Sequence, residues 1–142
     1  MAAMKFQHLL VSVLAIFTSA AVAAQEAENV FTKVEIVAST DPRKWMDYIR
    51  RGTQLPDSVT HDIPEGQYKV KVQFVINQHG DMGQLKLLED PGYGLGQRGL
   101  RLVRQYPGRW TPASQCGRSV KAYKQEVIVY EIKKPVVDSN NR

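Results

Sequence analysis

The sequence predicts an α+β domain built on an antiparallel sheet, and three observations carry that prediction. Tyr68, Val70, Val72, Phe74 and Ile76 alternate with Lys69, Lys71, Gln73, Val75 and Asn77, the period of a strand with one apolar face. The turn around His79-Gly80-Asp81 returns the chain onto residues 84–89, where Leu85 and Leu87 share a face; so short a connection requires antiparallel pairing. Two one-sided helical patterns bracket this hairpin, and a segment rich in Val, Ile and Tyr closes the domain.

Taken in chain order, the amino terminus carries Lys5, then an apolar run over residues 9–24 with small residues at Ala21-Val22-Ala23. That order is a secretory signal, cleaved after Ala23 or Ala24. The run is diluted by Ser12, Thr18 and Ser19 and falls short of the ~20 residues that span a bilayer. Residues 1–24 are therefore read as a signal peptide, 25–30 as a polar leader, 31–132 as one domain and 133–142 as a poorly ordered tail containing Pro135. Removing 24 of the 142 residues leaves 118, and the loss of Lys5 lowers the formal charge from +5 to +4. That is enough chain for one modest core, and too mild an excess for a nucleic-acid footprint. The single Cys116 has no internal disulfide partner, so the core must hold the fold alone; a buried, inert thiol is expected, with intermolecular pairing or redox chemistry as the alternative.

Within the domain, residues 30–38 alternate loosely and read as a short edge strand. Asp41-Pro42 supplies an N-cap and a proline at the first helical position, Trp45, Tyr48 and Ile49 form one stripe, and Gly52 is the stop, predicting a helix over 42–51. Residues 53–66 form a polar, proline-containing connection. After the hairpin, residues 90–94 read as a loop, and residues 95–106 as a second helix with Leu95, Gly99, Leu102 or Val103, and Tyr106 on one side and Pro107-Gly108 as terminator. Gly96 and Gly99 weaken it by roughly 1 kcal/mol each relative to alanine, so packing must hold it. Residues 118–132 read as one long strand whose period slips between Lys124 and Val127, a bulge or a switch of faces.

No residue set points to catalysis. Gly94-Leu95-Gly96-Gln97-Arg98-Gly99 matches the dinucleotide fingerprint, but it follows a hairpin strand, and no Asp or Glu occurs from Pro91 to Gln125 to hold a ribose. Close helix–sheet packing explains the glycines better. Ser58, His61 and Asp62 have the residue types of a hydrolytic triad, yet lie too close together in a proline-flanked loop to converge. With His61, His79 and one Cys after cleavage, nothing has metal-ligand spacing, and no cofactor is expected. Positive charge gathers at Arg98, Arg101, Arg104, Arg109, Arg118, Lys121 and Lys124, a solvated face or a surface attracting acidic segments.

The order helix, hairpin, helix, long final strand resembles the carboxy-terminal domain of TonB over residues 31–132. The matching residues are Gln54-Leu55-Pro56, Glu65-Gly66-Gln67-Tyr68-Lys69-Val70-Lys71, the hairpin Asn77-Gln78-His79-Gly80-Asp81, the loop Gly92-Tyr93-Gly94, Trp110-Thr111-Pro112-Ala113, and Gly117 before the closing strand. Their order is most similar to variants of Bacteroidetes-type envelopes. The resemblance implies a three-stranded antiparallel sheet with two helices packed on one face, in the periplasm. It also implies that the last strand pairs with the TonB box of outer-membrane transporters. By position, that edge comprises Lys121, Tyr123, Gln125, Val127, Val129 and Glu131, with a second contact at Gln54, Leu55 and Pro56. Leu55 stands where the family usually has an aromatic residue, and Asp57-Ser58-Val59 lacks the basic residue that often follows.

The expected function is thus a stand-alone, non-enzymatic periplasmic binding module acting by strand addition in energy-dependent uptake, with a homodimer through the same edge as a further arrangement. The competing reading is an envelope adaptor whose basic face binds peptidoglycan or lipopolysaccharide, to be told apart by steep salt dependence. A small secreted enzyme is a third reading, and would need a pocket around His61 or His79.

Overall fold

The computed structural model describes residues 30–134. The signal peptide, nearly all of the leader and the tail from residue 135 lie outside the described residues. Helix α1 (Pro42–Gly52) and the single turn α2 (Asp57–Thr60) precede strands β1 (Gly66–Ile76) and β2 (Met82–Glu89). Helix α3 (Leu95–Arg104) follows, then the short strands β3 (Ala113–Gln115) and β4 (Arg118–Val120), and finally β5 (Ala122–Ile132). The main sheet is antiparallel with order β2-β1-β5, and β3-β4 form a separate two-stranded ribbon. An α+β domain with a three-stranded antiparallel sheet is therefore what the described residues build, with three helical elements among them where two were expected. Among the described residues no helix is long and apolar enough to cross a membrane.

Each element forms for a local reason. Asp41 caps α1 with its carboxylate, accepting from the backbone N–H groups of Arg43 and Lys44 at 3.0 and 3.2 Å, while Pro42 occupies a position whose N–H would be unpaired anyway. The β1–β2 turn is closed by Asn77, whose side-chain oxygen accepts from the N–H groups of His79 and Asp81 at 2.8 and 2.9 Å. The β3–β4 turn places Cys116 and Gly117 at φ 49° and 71°, the paired left-handed geometry of a two-residue hairpin.

The core lies on one face of the sheet. Val70, Val72, Phe74 and Ile76 of β1 and Ala122, Ile128, Tyr130 and Ile132 of β5 point toward Leu95, Val103, Tyr106, Trp110 and Ala113. Gly99 lets α3 lie tightly on the sheet: a Cβ there would lie 2.7 Å from Val70 Cγ1. Helix α1 joins on the flank of α3, where a Cβ on Gly52 would collide with Leu102 and the Tyr48 hydroxyl donates to the Leu102 carbonyl at 2.8 Å. Tyr106, Trp45, Trp110 and Phe74 meet edge-on in that order, with successive centroids 4.8–5.4 Å apart, tying α1 to the sheet.

Several expectations need correction. Residues 30–38 form no strand; the segment makes single bridges from Phe31 to Ala122 and from Ile36 to Ser114, and Ser39 adds one to Thr111. The connection before β1 contains the unforeseen turn α2. The expected strand over 118–132 is two strands divided at Lys121, because residues 118–120 pair with β3. No bulge or face switch occurs between Lys124 and Val127: the β1–β5 register runs unbroken from Gly66↔Ile132 to Ile76↔Ala122. Lys124 and Glu126 instead occupy two inward positions as a half-buried ion pair of 3.2 Å. The irregularities sit in the β1–β2 pairing. Cys116 is exposed at a hairpin tip rather than buried.

Candidate functional site

The outer edge of β5 can be read from one pair of hydrogen bonds. Phe31 pairs in parallel across Ala122: its N–H donates to the Lys121 carbonyl at 2.9 Å, and its carbonyl accepts from the Tyr123 N–H at 2.9 Å. On that strand, then, odd-numbered residues turn their backbone groups away from β1 and even-numbered ones bond to it. Gln125, Val127, Val129 and Glu131 consequently direct both N–H and C=O outward, and no backbone of the described residues pairs with them there. Their side chains share the sheet face opposite the core, where Val127 and Val129 are 51% and 40% exposed. The open stretch is about 20 Å long at the rise of an extended chain.

Of the residues expected to bind a partner, Lys121 and Tyr123 are therefore already engaged through their backbones by Phe31, which shortens the edge to residues 125–131. Gln54 and Leu55 lie at the other end. They line a cleft of about 550 Å³ together with Val129 and Glu131, so residues 54–55 and the end of β5 face one space. Pro56 is exposed beside it as the N-cap of α2, its carbonyl accepting from Val59 and Thr60. Leu55, which departs from the usual aromatic, packs half-buried against the core.

Sequence reasoning missed Arg50, Thr53, Asp57, Thr60, Gln67 and Lys133 on the cleft wall, and Phe31 as the cap of the edge. Gln67 was legible as an outward residue of β1, but its position opposite Glu131 depends on the long-range register. Two ion pairs flank the cleft, Arg50–Asp47 at 2.7 Å and Lys133–Glu131 at 3.2 Å, all four side chains more than half exposed. Their charges are screened and adjust to a partner at little cost.

The remaining motifs have structural roles. Asp90 accepts from the N–H groups of Gly92 and Gly96 at 2.9 and 3.2 Å, so its carboxylate already occupies the start of α3, where a dinucleotide phosphate would have to sit. His61 Nε2 lies 4.0 Å from Asp62 on nearly fully exposed side chains. Among the described residues no group of three or more His, Cys, Asp or Glu has metal-binding geometry. The Tyr130 hydroxyl is fully enclosed without a hydrogen-bond partner. Burial pushes its pKa above the ordinary tyrosine value, and Arg98 pulls more weakly the other way.

Compared with models of known protein families and with curated proteins, the chain matches none.

Proposed function

We propose that this protein is a periplasmic, non-enzymatic binding module resembling the TonB carboxy-terminal domain. In this reading its last strand accepts TonB-box-like peptides of outer-membrane transporters, in support of energy-dependent uptake. The observation that carries the reading is the row of outward backbone groups on Gln125, Val127, Val129 and Glu131, continuous with the cleft at Gln54 and Leu55. A visiting extended segment satisfies those groups by forming ladder hydrogen bonds, which give affinity without regard to sequence. Val127 and Val129 then meet its alternate side chains and supply selectivity, and the cleft receives whatever follows the paired stretch.

The test is titration of the purified protein with synthetic peptides copying the amino-terminal segments of transporters, followed by amide NMR. Binding should perturb residues 125–131 and 54–56 together and should persist at high salt, because ladder bonds are not screened as surface charges are. No perturbation of residues 125–131 by any such peptide, or binding abolished by moderate salt, would exclude strand addition; the second result would favour the basic-face adaptor.

A further inference from the structure

The contact that closes the Lys121 end of the β5 edge is a single rung. Phe31 bonds in parallel to the residues on either side of Ala122, and the next rung would join Lys33 to the Tyr123 carbonyl and the Gln125 N–H. That rung is not made. The backbone groups of residues 32–34 bond to none of the described residues, and Thr32 and Lys33 are exposed. The chain is secured only further on. Val34 packs against the core, Ala38 is buried, and Ile36 and Ser39 each exchange a pair of backbone bonds, with Ser114 and Thr111 respectively.

Release of residues 30–33 therefore leaves those anchors in place. It costs the two Phe31 bonds and the shelter of a ring already 38% exposed, and it returns conformational freedom to the segment. Segments held so lightly open at free energies well below that of global unfolding. The groups that Phe31 covers are also the ones a longer visitor needs. A segment paired over 125–131 and continuing toward residue 121 would bond the Tyr123 N–H and the Lys121 carbonyl, both taken by Phe31. Each bond gained replaces one lost. Tethering then decides the exchange, because only residues 32 and 33 separate Phe31 from the packed Val34, which keeps the internal occupant at high effective concentration.

We propose that residues 30–33 are a displaceable stop on the docking edge, an autoinhibitory contact in which Phe31 competes with the visiting segment for the Lys121 and Tyr123 backbone groups. The stop rests on the strand-addition reading of β5 and adds regulation to it. While it is closed, pairing ends at Gln125, and residues of the visitor beyond that point add little to affinity. Once it opens, the edge runs from residue 121 to residue 131. Weakening the stop thus changes the length preference of the edge and leaves its affinity for short segments alone.

Amide exchange of the purified protein reads the stop without any peptide. Corrected for intrinsic rates, the Tyr123 amide should exchange at least about a hundredfold faster than that of Ile128, which lies in the unbroken β1–β5 ladder. Phe31→Pro removes the donor to Lys121; it should speed Tyr123 about tenfold further and leave Val70 and Ile128 unchanged, which verifies the fold. Calorimetry then uses two end-capped peptides of alternating threonine and valine, one matched in length to residues 125–131 and one to 121–131. Such a pattern reads alike in either strand direction. The short peptide should bind wild type and variant equally. The advantage of the long peptide over the short one should be at least about fivefold greater in Phe31→Pro than in wild type, the effect of two ladder bonds less their ordering cost. Phe31→Gly, which keeps both backbone groups and loses the ring, should fall between the two. A Tyr123 amide as well protected as Ile128, or a length advantage unchanged by both variants, would overturn the stop and leave the edge reading standing. A short peptide that binds neither protein would remove the edge reading, and the stop with it.

Discussion

Replacing Val127 by proline tests the placement of the docking edge, because the neighbouring substitution Ile128→Pro carries the opposite expectation. The Val127 N–H points away from β1, as the Tyr123 N–H does four residues earlier in its bond to Phe31. Proline there removes no ladder bond, and the strand already holds Glu126 in the extended region that a following proline prefers. The folding cost is the constraint on φ and a little apolar contact, about 1 kcal/mol or less. Ile128 differs on both counts: its N–H faces β1 opposite Val70 and its side chain is 1% exposed. Losing that bond costs about 1 kcal/mol and losing the packing another 2–5, a large part of the stability of a small domain. Binding should respond in the reverse order. A partner strand loses one donor opposite residue 127 and is pushed off by the ring, so affinity should fall by about 1–2 kcal/mol, or roughly 5- to 30-fold. Urea denaturation gives the first quantity and calorimetry with a transporter-derived peptide the second. If Val127→Pro unfolds the domain as Ile128→Pro does, the assigned alternation of β5 is wrong; if it folds and binds with unchanged affinity, the peptide docks elsewhere.

Tyr130→Phe removes a buried hydroxyl that has no partner, so it should raise stability by about 1 kcal/mol in denaturant melts. Since burial raises the Tyr130 pKa in the folded state, the unfolded chain loses its proton first as pH climbs past about 10, and stability falls above that point. Tyr130→Phe should flatten that alkaline loss, and an unchanged slope would show that other groups govern it. Gly99→Ala would place a methyl 2.7 Å from Val70 Cγ1, and thermal unfolding should register about 1–3 kcal/mol of destabilisation despite the better helix propensity. Replacing Lys124 and Glu126 together by valine should leave the monomer folded but increase self-association in sedimentation, because inward charges on an edge strand deter further pairing.

Elements whose signals are local were legible. Asp41-Pro42 and the Trp45, Tyr48, Ile49 stripe located α1 to within a residue, and Asn77 to Asp81 located the hairpin. What sequence could not reveal depends on long-range pairing. Residues 30–38 alternate loosely yet form no strand, because the segment touches two different partners in turn, Phe31 on β5 and Ile36 on β3, rather than running beside one. The apparent slip near Lys124 arose because apolar alternation was taken as the mark of the inward face. At a sheet edge that face is only partly covered, so Lys124 and Glu126 can turn inward and neutralise each other at about one-fifth exposure. The join of Gln54 and Leu55 to Val129 and Glu131 follows from where α1 ends relative to the sheet, which no local pattern encodes.

In the proposed role the β5 edge must accept one visitor without polymerising, and the strand carries three features that bear on this. Phe31 occupies the first positions, limiting the open ladder to residues 125–131, about the length of one short peptide strand. The Lys124–Glu126 pair puts charge on the inner face, where a second copy of the sheet would have to bury it without the helices that cover the rest of that face. The outer face offers Val127 and Val129 in a row bounded by Gln125 and Glu131, so the apolar contact available is short and ends in polar groups. A single extended segment with two apolar residues in alternate positions satisfies all three conditions. A second copy of β5 satisfies the outer-face condition through a Val127-to-Val129 register, but it brings a further half-buried ion pair to the junction. On the proposed reading, the open edge therefore suits a flexible peptide better than a rigid sheet.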